Sequence, residues 1–185
     1  MSSRKASRAD ALVESGFRHL QQGQFEQARH CFDQSLALAP RHADALHLLG
    51  VVELQKGDHA AAAELLQRAV AIDPRHPAYQ ANLAYAYVGL KRMPDAQAAF
   101  ERAARLDPND PELLLGAGNC RAMQGETAQA EAVFRRLVER HPAYALGWFN
   151  LANAVKDQER YDEARDLYGR AIQLAPQFAE SYGNL

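Results

Sequence analysis

The sequence predicts an all-α solenoid: five helix-turn-helix repeats of 34 residues followed by a truncated sixth. Three observations carry that expectation. Pro40, Pro74, Pro108, Pro142 and Pro176 stand 34 residues apart. Alanine recurs at one register of the same period, at Ala28, Ala62, Ala96, Ala130 and Ala164. Between these fixed points the apolar residues return at three- and four-residue steps in two blocks per period, which is the spacing of a helical hairpin. The chain of 185 residues divides into 1–8, a tail; repeats 9–42, 43–76, 77–110, 111–144 and 145–178; and 179–185, the start of a sixth repeat or a cap helix.

Each element follows from local chemistry. The first helix is expected to start at a capping box made by Ser7 and Asp10. In the second repeat Leu46, Leu49, Gly50 and Leu54 mark one helix and Gly57-Asp58 breaks it. Ala62, Leu65, Leu66, Ala69 and Ile72 mark the next, and the helical period runs unbroken through the alanines at 60–63. Asp73-Pro74 stops that helix, because proline disfavours the helical conformation in its predecessor and has no N–H to donate. Pro77 and Pro111 open the first helices of the third and fourth repeats, and Pro94 sits in the first turn of a second helix, where the missing N–H costs nothing. Four residues after each periodic alanine stands a large side chain, Phe32, Leu66, Phe100, Phe134 or Tyr168, so small is set against large wherever two helices approach.

These residues resemble the tetratricopeptide repeat, whose 34-residue pattern runs Trp-x2-Leu-Gly-x2-Tyr, Ala-x3-Phe, then Pro. The fifth repeat follows it most fully, with Trp148, Leu151, Ala152, Ala164, Tyr168, Ala171 and Pro176. Leu46, Leu49 and Gly50, then Leu83, Ala84 and Tyr87, then Leu114 and Gly118, carry it in the three repeats before. Departures fall at Ser15, at Gln80 and at the tyrosine position, where His19, Glu53 and Arg121 stand. The resemblance implies a right-handed superhelix with a concave groove lined by first-helix residues. The stretch from Trp148 to Gln158, with residues 178–185, is also similar to the N-terminal repeats of O-linked N-acetylglucosamine transferases and their bacterial relatives.

Composition excludes several classes of function. The chain is 48% hydrophobic and 24% charged, which is globular, and its formal net charge of −2 supplies no field to hold nucleic acid or an anionic membrane. No run approaches the roughly 18 apolar residues of a membrane helix. Cys31 and Cys120 lie in distant repeats and are expected to be free thiols, which suits a reducing cytoplasm. Gly116-Ala117-Gly118 has no preceding strand, so it is expected to be packing glycine rather than a phosphate loop. The seven histidines form no His-Glu-x-x-His pair and the cysteines no Cys-x-x-Cys, so neither metal nor cofactor is expected. No nucleophile-and-base arrangement is legible, and Arg135, Arg136 and Arg140 with Glu131 and Glu139 read as a solvated face.

Carried over from the family, groove positions 6 and 9 of each repeat are Glu14 and Phe17, Leu48 and Val51, Asn82 and Tyr85, Gly116 and Asn119, Asn150 and Asn153. The lining thus passes from apolar to asparagine-rich, and asparagine offers both a donor and an acceptor to the backbone of an extended peptide. The candidate groove residues are His47, Val51, Asn82, Tyr85, Asn119, Asn150 and Asn153. The resemblance argues against a clamp for acidic chaperone tails, because the first-repeat positions that would hold Lys and Asn are Val13 and Phe17. The expected function is a non-catalytic scaffold binding an extended protein segment. The alternative is a substrate-presenting module of a larger enzyme, such as a cytoplasmic glycosyltransferase. The stub, with Tyr182 and Leu185, implies a fragment of a longer array, whose C-terminal end would expose Ala164, Tyr168 and Ala171 for self-association.

Overall fold

The computed structural model describes residues 2–176 as ten helices, with no strand among the described residues. In chain order they are α1 (Ser2–Gln21), α2 (Phe25–Leu38), α3 (Ala43–Lys56), α4 (His59–Ile72), α5 (Pro77–Gly89), α6 (Met93–Leu106), α7 (Pro111–Met123), α8 (Thr127–Arg140), α9 (Ala145–Lys156) and α10 (Tyr161–Leu174). They form two compact bodies, Met1–Arg92 and Met93–Leu185, and the division falls inside the third predicted repeat, between its two helices. In the first body α1 packs on α2, α3 on α4, and α5 closes against α4 and α3. In the second, α6 packs on α7, α7 on α8, and α9 on α10.

Helix ends obey the predicted punctuation. Before each periodic proline the backbone N–H donates to the carbonyl four residues back, as at Ala39 to Ser35 (2.8 Å), Asp73 to Ala69 (3.0 Å) and His141 to Leu137 (2.8 Å). Proline then prevents another bond. Pro77 and Pro111 occupy the first positions of α5 and α7. Each first helix is followed within three residues by a residue with positive φ. In three repeats it is glycine, Gly23, Gly57 and Gly125, at φ of 71°, 80° and 75°. In the other two Lys91 and Glu159 hold the same left-handed conformation, at 58° and 62°. The following residue bonds back to the carbonyl five earlier: Asp58 to Glu53 at 2.9 Å, Arg92 to Tyr87 at 2.9 Å, Arg160 to Val155 at 3.3 Å.

The start of α1 differs from expectation. The helix runs from Ser2, so residues 2–8 are not a separate tail and Ser7 caps nothing. No glycine or proline interrupts this segment, and its anchor is tertiary: Ala9 is fully buried and its carbonyl accepts a hydrogen bond from the Ser35 hydroxyl at 3.1 Å. Asp10 instead meets His42 Nε2 at 2.9 Å.

The core is a series of rings and branched chains set into helix surfaces that lack a Cβ. A Cβ placed on Gly16 would stand 2.5 Å from the Phe32 ring, one on Gly50 2.7 Å from Leu66, and one on Gly118 2.3 Å from Phe134. Gly116 accommodates the Phe100 ring in the same way, so the Gly116-Ala117-Gly118 segment is packing surface within α7. The periodic alanines are buried beside these contacts. Ala164, Tyr168 and Ala171, read from the sequence as the open side of the last hairpin, are buried too. Tyr168 lies against α9 of its own hairpin, its ring 5.5 Å from Phe149 and its hydroxyl on Asn153. The expected stub, 179–185, lies outside the described residues.

Where the family tyrosine is replaced, polar bridges take over. The nearly buried Glu53 carboxylate lies 3.0 Å from the Arg29 guanidinium. Arg121 reaches Glu101 at 3.0 Å and Glu126 at 2.9 Å. Tyr87, where the tyrosine is kept, accepts from Gln67 at 2.9 Å. Arg135 pairs with Glu131 and Glu163, and Arg160 also pairs with both. Burial pushes the Glu131 carboxyl up, but hydrogen bonds from Gln158, Arg135 and Arg160 outweigh it and hold the group below its ordinary value. Cys31 and Cys120 are free; burial pushes the Cys120 thiol up to about 11.

The left-handed residues supply a stability test. Glycine adopts positive φ without the Cβ clash that Lys91 and Glu159 carry, though it loses more backbone freedom on folding. Replacing Lys91 or Glu159 by Gly is expected to stabilise the chain by about 0.5–1 kcal/mol in urea unfolding. A loss of stability in both variants contradicts the account.

Candidate functional site

In the first body α3 lies against both α1 and α5, so the first helices of three successive repeats are neighbours. At the equivalent ninth position they present Phe17, Val51 and Tyr85. Phe17 and Tyr85 are 44% and 45% exposed, which the hydrophobic core does not require, while Val51 is half-buried. Next to this apolar row α3 and α5 build a polar cluster. The Asn82 amide donates to His47 Nε2 at 2.7 Å. The His47 ring is 4.7 Å from Tyr79, which stacks on His76 at 4.0 Å. Tyr79 donates its hydroxyl hydrogen to Asp44 at 2.5 Å.

The electrostatics of this cluster follow from its burial. Burial, reinforced by the neighbouring His76 and opposed by Asp44, holds His47 down to about 4 from an ordinary 6.5. At neutral pH it is therefore an uncharged imidazole whose Nε2 accepts, as the bond from Asn82 requires. Burial and the Asp44 carboxylate together push the Tyr79 phenol above its ordinary value, so it remains a donor. Tyr79, Asp44 and His76 were not among the residues singled out from sequence. The signal was available in the period: Asp44 and Tyr79 are one repeat plus one residue apart.

In the second body α7 and α9 are likewise neighbours. Asn119 on α7 and Asn150 and Asn153 on α9 are half-buried. The asparagines are less open than their sequence positions suggested. Asn150 donates to the Leu146 carbonyl of its own helix at 2.9 Å, and Asn153 accepts from the Tyr168 hydroxyl at 2.5 Å. With Asn82 held by His47, three of the four candidate asparagines have one end of the amide engaged by the protein. Open to a ligand are the carbonyl of Asn82 and of Asn150, the amino group of Asn153, and both ends of the Asn119 amide. The structure joins His47 to Asn82 by a hydrogen bond, with Val51 and Tyr85 on the same two helices, and sets Asn119 on α7 and Asn150 and Asn153 on the neighbouring α9. Among the described residues no group of three or more His, Cys, Asp or Glu is placed to hold a metal ion, and no helix is long and apolar enough to cross a membrane.

Sequence models of the tetratricopeptide repeat match residues 13–77, 53–117, 87–152 and 145–178. Among solved structures the chain is similar to MamA, with a TM-score of 0.83 at 20% identity over 89% of this chain and 96% of that one. It is similar to YrrB, a TPR protein with an unusual peptide-binding site, with a TM-score of 0.81 at 22% identity over 94% of this chain and 91% of that one. A third is pilF of Pseudomonas aeruginosa, with a TM-score of 0.76 at 23% identity over 97% and 86%. No curated protein matches in sequence.

The neutral His47 has a measurable consequence. As pH falls from 6.5 toward 4 the unfolded chain takes up a proton on this side chain that the folded chain refuses, so stability drops across that window. In urea unfolding the His47→Gln variant is expected to lose less stability than the parent between pH 6.5 and 4. An identical pH dependence in the two proteins contradicts a buried, neutral His47.

Proposed function

Because the chain belongs to the tetratricopeptide repeat family, we propose that it is a non-catalytic interaction scaffold that binds an extended segment of another protein along its first helices. The observation that carries this reading is the pairing of two large exposed apolar side chains, Phe17 and Tyr85, with a fixed polar cluster on the neighbouring α3 and α5. Large exposed aromatics are characteristic anchors of protein interfaces, where they bury much area at small conformational cost. Beside them, Asn82 is held in one orientation by His47, so its carbonyl is ready to accept from a peptide N–H without losing further freedom.

Asn150 and Asn153 extend the same chemistry in the second body, each with one end tied to the protein. Such groups suit an extended backbone whatever its side chains are, and the apolar row supplies the preference for hydrophobic residues. Peptide binding is what YrrB is described by, and the likeness in fold supports the same use of this chain. The free thiols Cys31 and Cys120 suit a reducing compartment such as the cytoplasm.

The test is selection of binding peptides from a displayed random library, followed by affinity measurement. Tyr85→Ala and Asn82→Ala are each expected to weaken the selected peptides about tenfold or more, with helicity unchanged. Glu139→Lys, an exposed position on α8, is expected to leave them unaffected. Equal losses from the α5 and α8 variants would place binding elsewhere.

A further inference from the structure

Three helices of the second body each contribute one arginine to a cavity that none of the groove residues lines. Arg105 comes from α6, Arg121 from α7 and Arg136 from α8, around a volume of about 260 Å³ with Leu114, Ala117 and Val133 between them. Against three guanidinium groups the lining holds one carboxylate, Glu101, whose Oε1 is taken by Arg121 Nη2 at 3.0 Å. Arg121 Nη1 is taken by Glu126 and Gln129, at 2.9 and 2.7 Å. Its Nε is buried and has no hydrogen-bond partner.

Arg105 and Arg136, by contrast, have no ion pair among the described residues. The next residue along α8 shows the difference, since Arg135 is satisfied by both Glu131 and Glu163. Gathering like charges around one cavity costs free energy, modestly here because Arg105 and Arg136 are exposed, and gives the cavity a positive potential. A buried donor without an acceptor adds to the cost.

We infer that this cavity binds a phosphate monoester, its dianionic head held by Arg105, Arg121 and Arg136 and its short carbon stem lying on Leu114, Ala117 and Val133. Charge selects the head. Arg121 is already met by Glu101 and Glu126, while Arg105 and Arg136 bring two positive charges that no carboxylate pairs among the described residues, and a phosphate monoester of charge about −1.5 to −2 answers both. Its oxygens present several acceptors to the planar, multi-donor guanidinium groups. Size selects the stem: the volume is below the roughly 300–1,000 Å³ of pockets that enclose drug-sized ligands, so only a small group enters. The phosphate comes either from a phosphorylated side chain of a partner or from a free phosphate ester. The site is separate from the groove of the first helices and stands or falls without it.

The full chain would be titrated at fixed ionic strength with inorganic phosphate, glycerol phosphate and a phosphoserine-containing tripeptide, following amide and guanidinium NMR signals of α6, α7 and α8. Saturable binding of at least one probe is expected, with shifts centred on Arg105, Arg121 and Arg136. R105Q and R136Q are each expected to weaken it about tenfold, whereas R140Q, an exposed arginine at the end of the same α8, leaves it unchanged. Because Arg105 and Arg136 are exposed, both variants retain the fold, which their spectra verify. Tighter binding of the tripeptide assigns the phosphate to a partner's side chain, tighter binding of glycerol phosphate to a free ester, and equal affinity to the head alone. Failure of all three probes to saturate, or an equal loss in R140Q and R136Q, overturns the proposal.

Discussion

The rest of the architecture depends on the close approach of a large side chain to a helix surface that has no Cβ. Phe134 on Gly118, Phe32 on Gly16 and Leu66 on Gly50 bring the two helices of a hairpin nearer than alanine at those positions would allow without movement of the ring. That distance fixes the relative rotation of the helices and therefore which of their residues point outward. The polar bridges at Glu53, Arg121 and Tyr87 then operate within this spacing, joining a first helix to the preceding or following second helix. They replace one another chemically, which is why the tyrosine position tolerates acid, base and aromatic alike, whereas the glycine position admits nothing larger than the alanines Ala84 and Ala152 of the third and fifth repeats.

The same rigidity shapes the first-helix surface. An asparagine on a loose helix would offer four hydrogen-bonding sites in many orientations. Here Asn82 is oriented by His47, and His47 in turn sits by the Tyr79 ring, which stacks on His76 and donates to Asp44. Each member constrains the next, so the surface offers fewer polar atoms in better-defined positions. Neutral His47 is part of that arrangement, because a protonated ring could not accept from the Asn82 amide.

Periodicity made the hairpins legible in sequence, since helix stops at proline and turns at glycine are decided within a few residues. The first helix starts before the Ser7–Asp10 pair, and the contact that ties it down, the Ser35 hydroxyl on the Ala9 carbonyl, lies 26 residues away in sequence, beyond the reach of a local motif. The family pattern located the candidate asparagines but could not show that their amides are already bonded, because the partners of Asn82 and Asn153 lie one repeat or one helix away. At the last hairpin the sequence shows that Ala164, Tyr168 and Ala171 recur at helical spacing, but not that Tyr168 meets Phe149 and Asn153 of α9. Lys91 and Glu159 show the converse: their left-handed conformation is invisible in residue type and is imposed by the turn that glycine fills in the other repeats.

The two cysteines differ in a way that bears on handling the molecule in the laboratory. Burial leaves the Cys120 sulfur almost wholly protonated at neutral pH, and maleimides and oxidants attack the thiolate form. Cys31, on α2, is only partly covered, with the Ser15 hydroxyl as its nearest polar companion at 3.9 Å. The native chain therefore carries a preferred attachment point for a fluorophore or spin label in its first body, with no need to engineer one, and a dye placed there reports on the packing of α2 against α1.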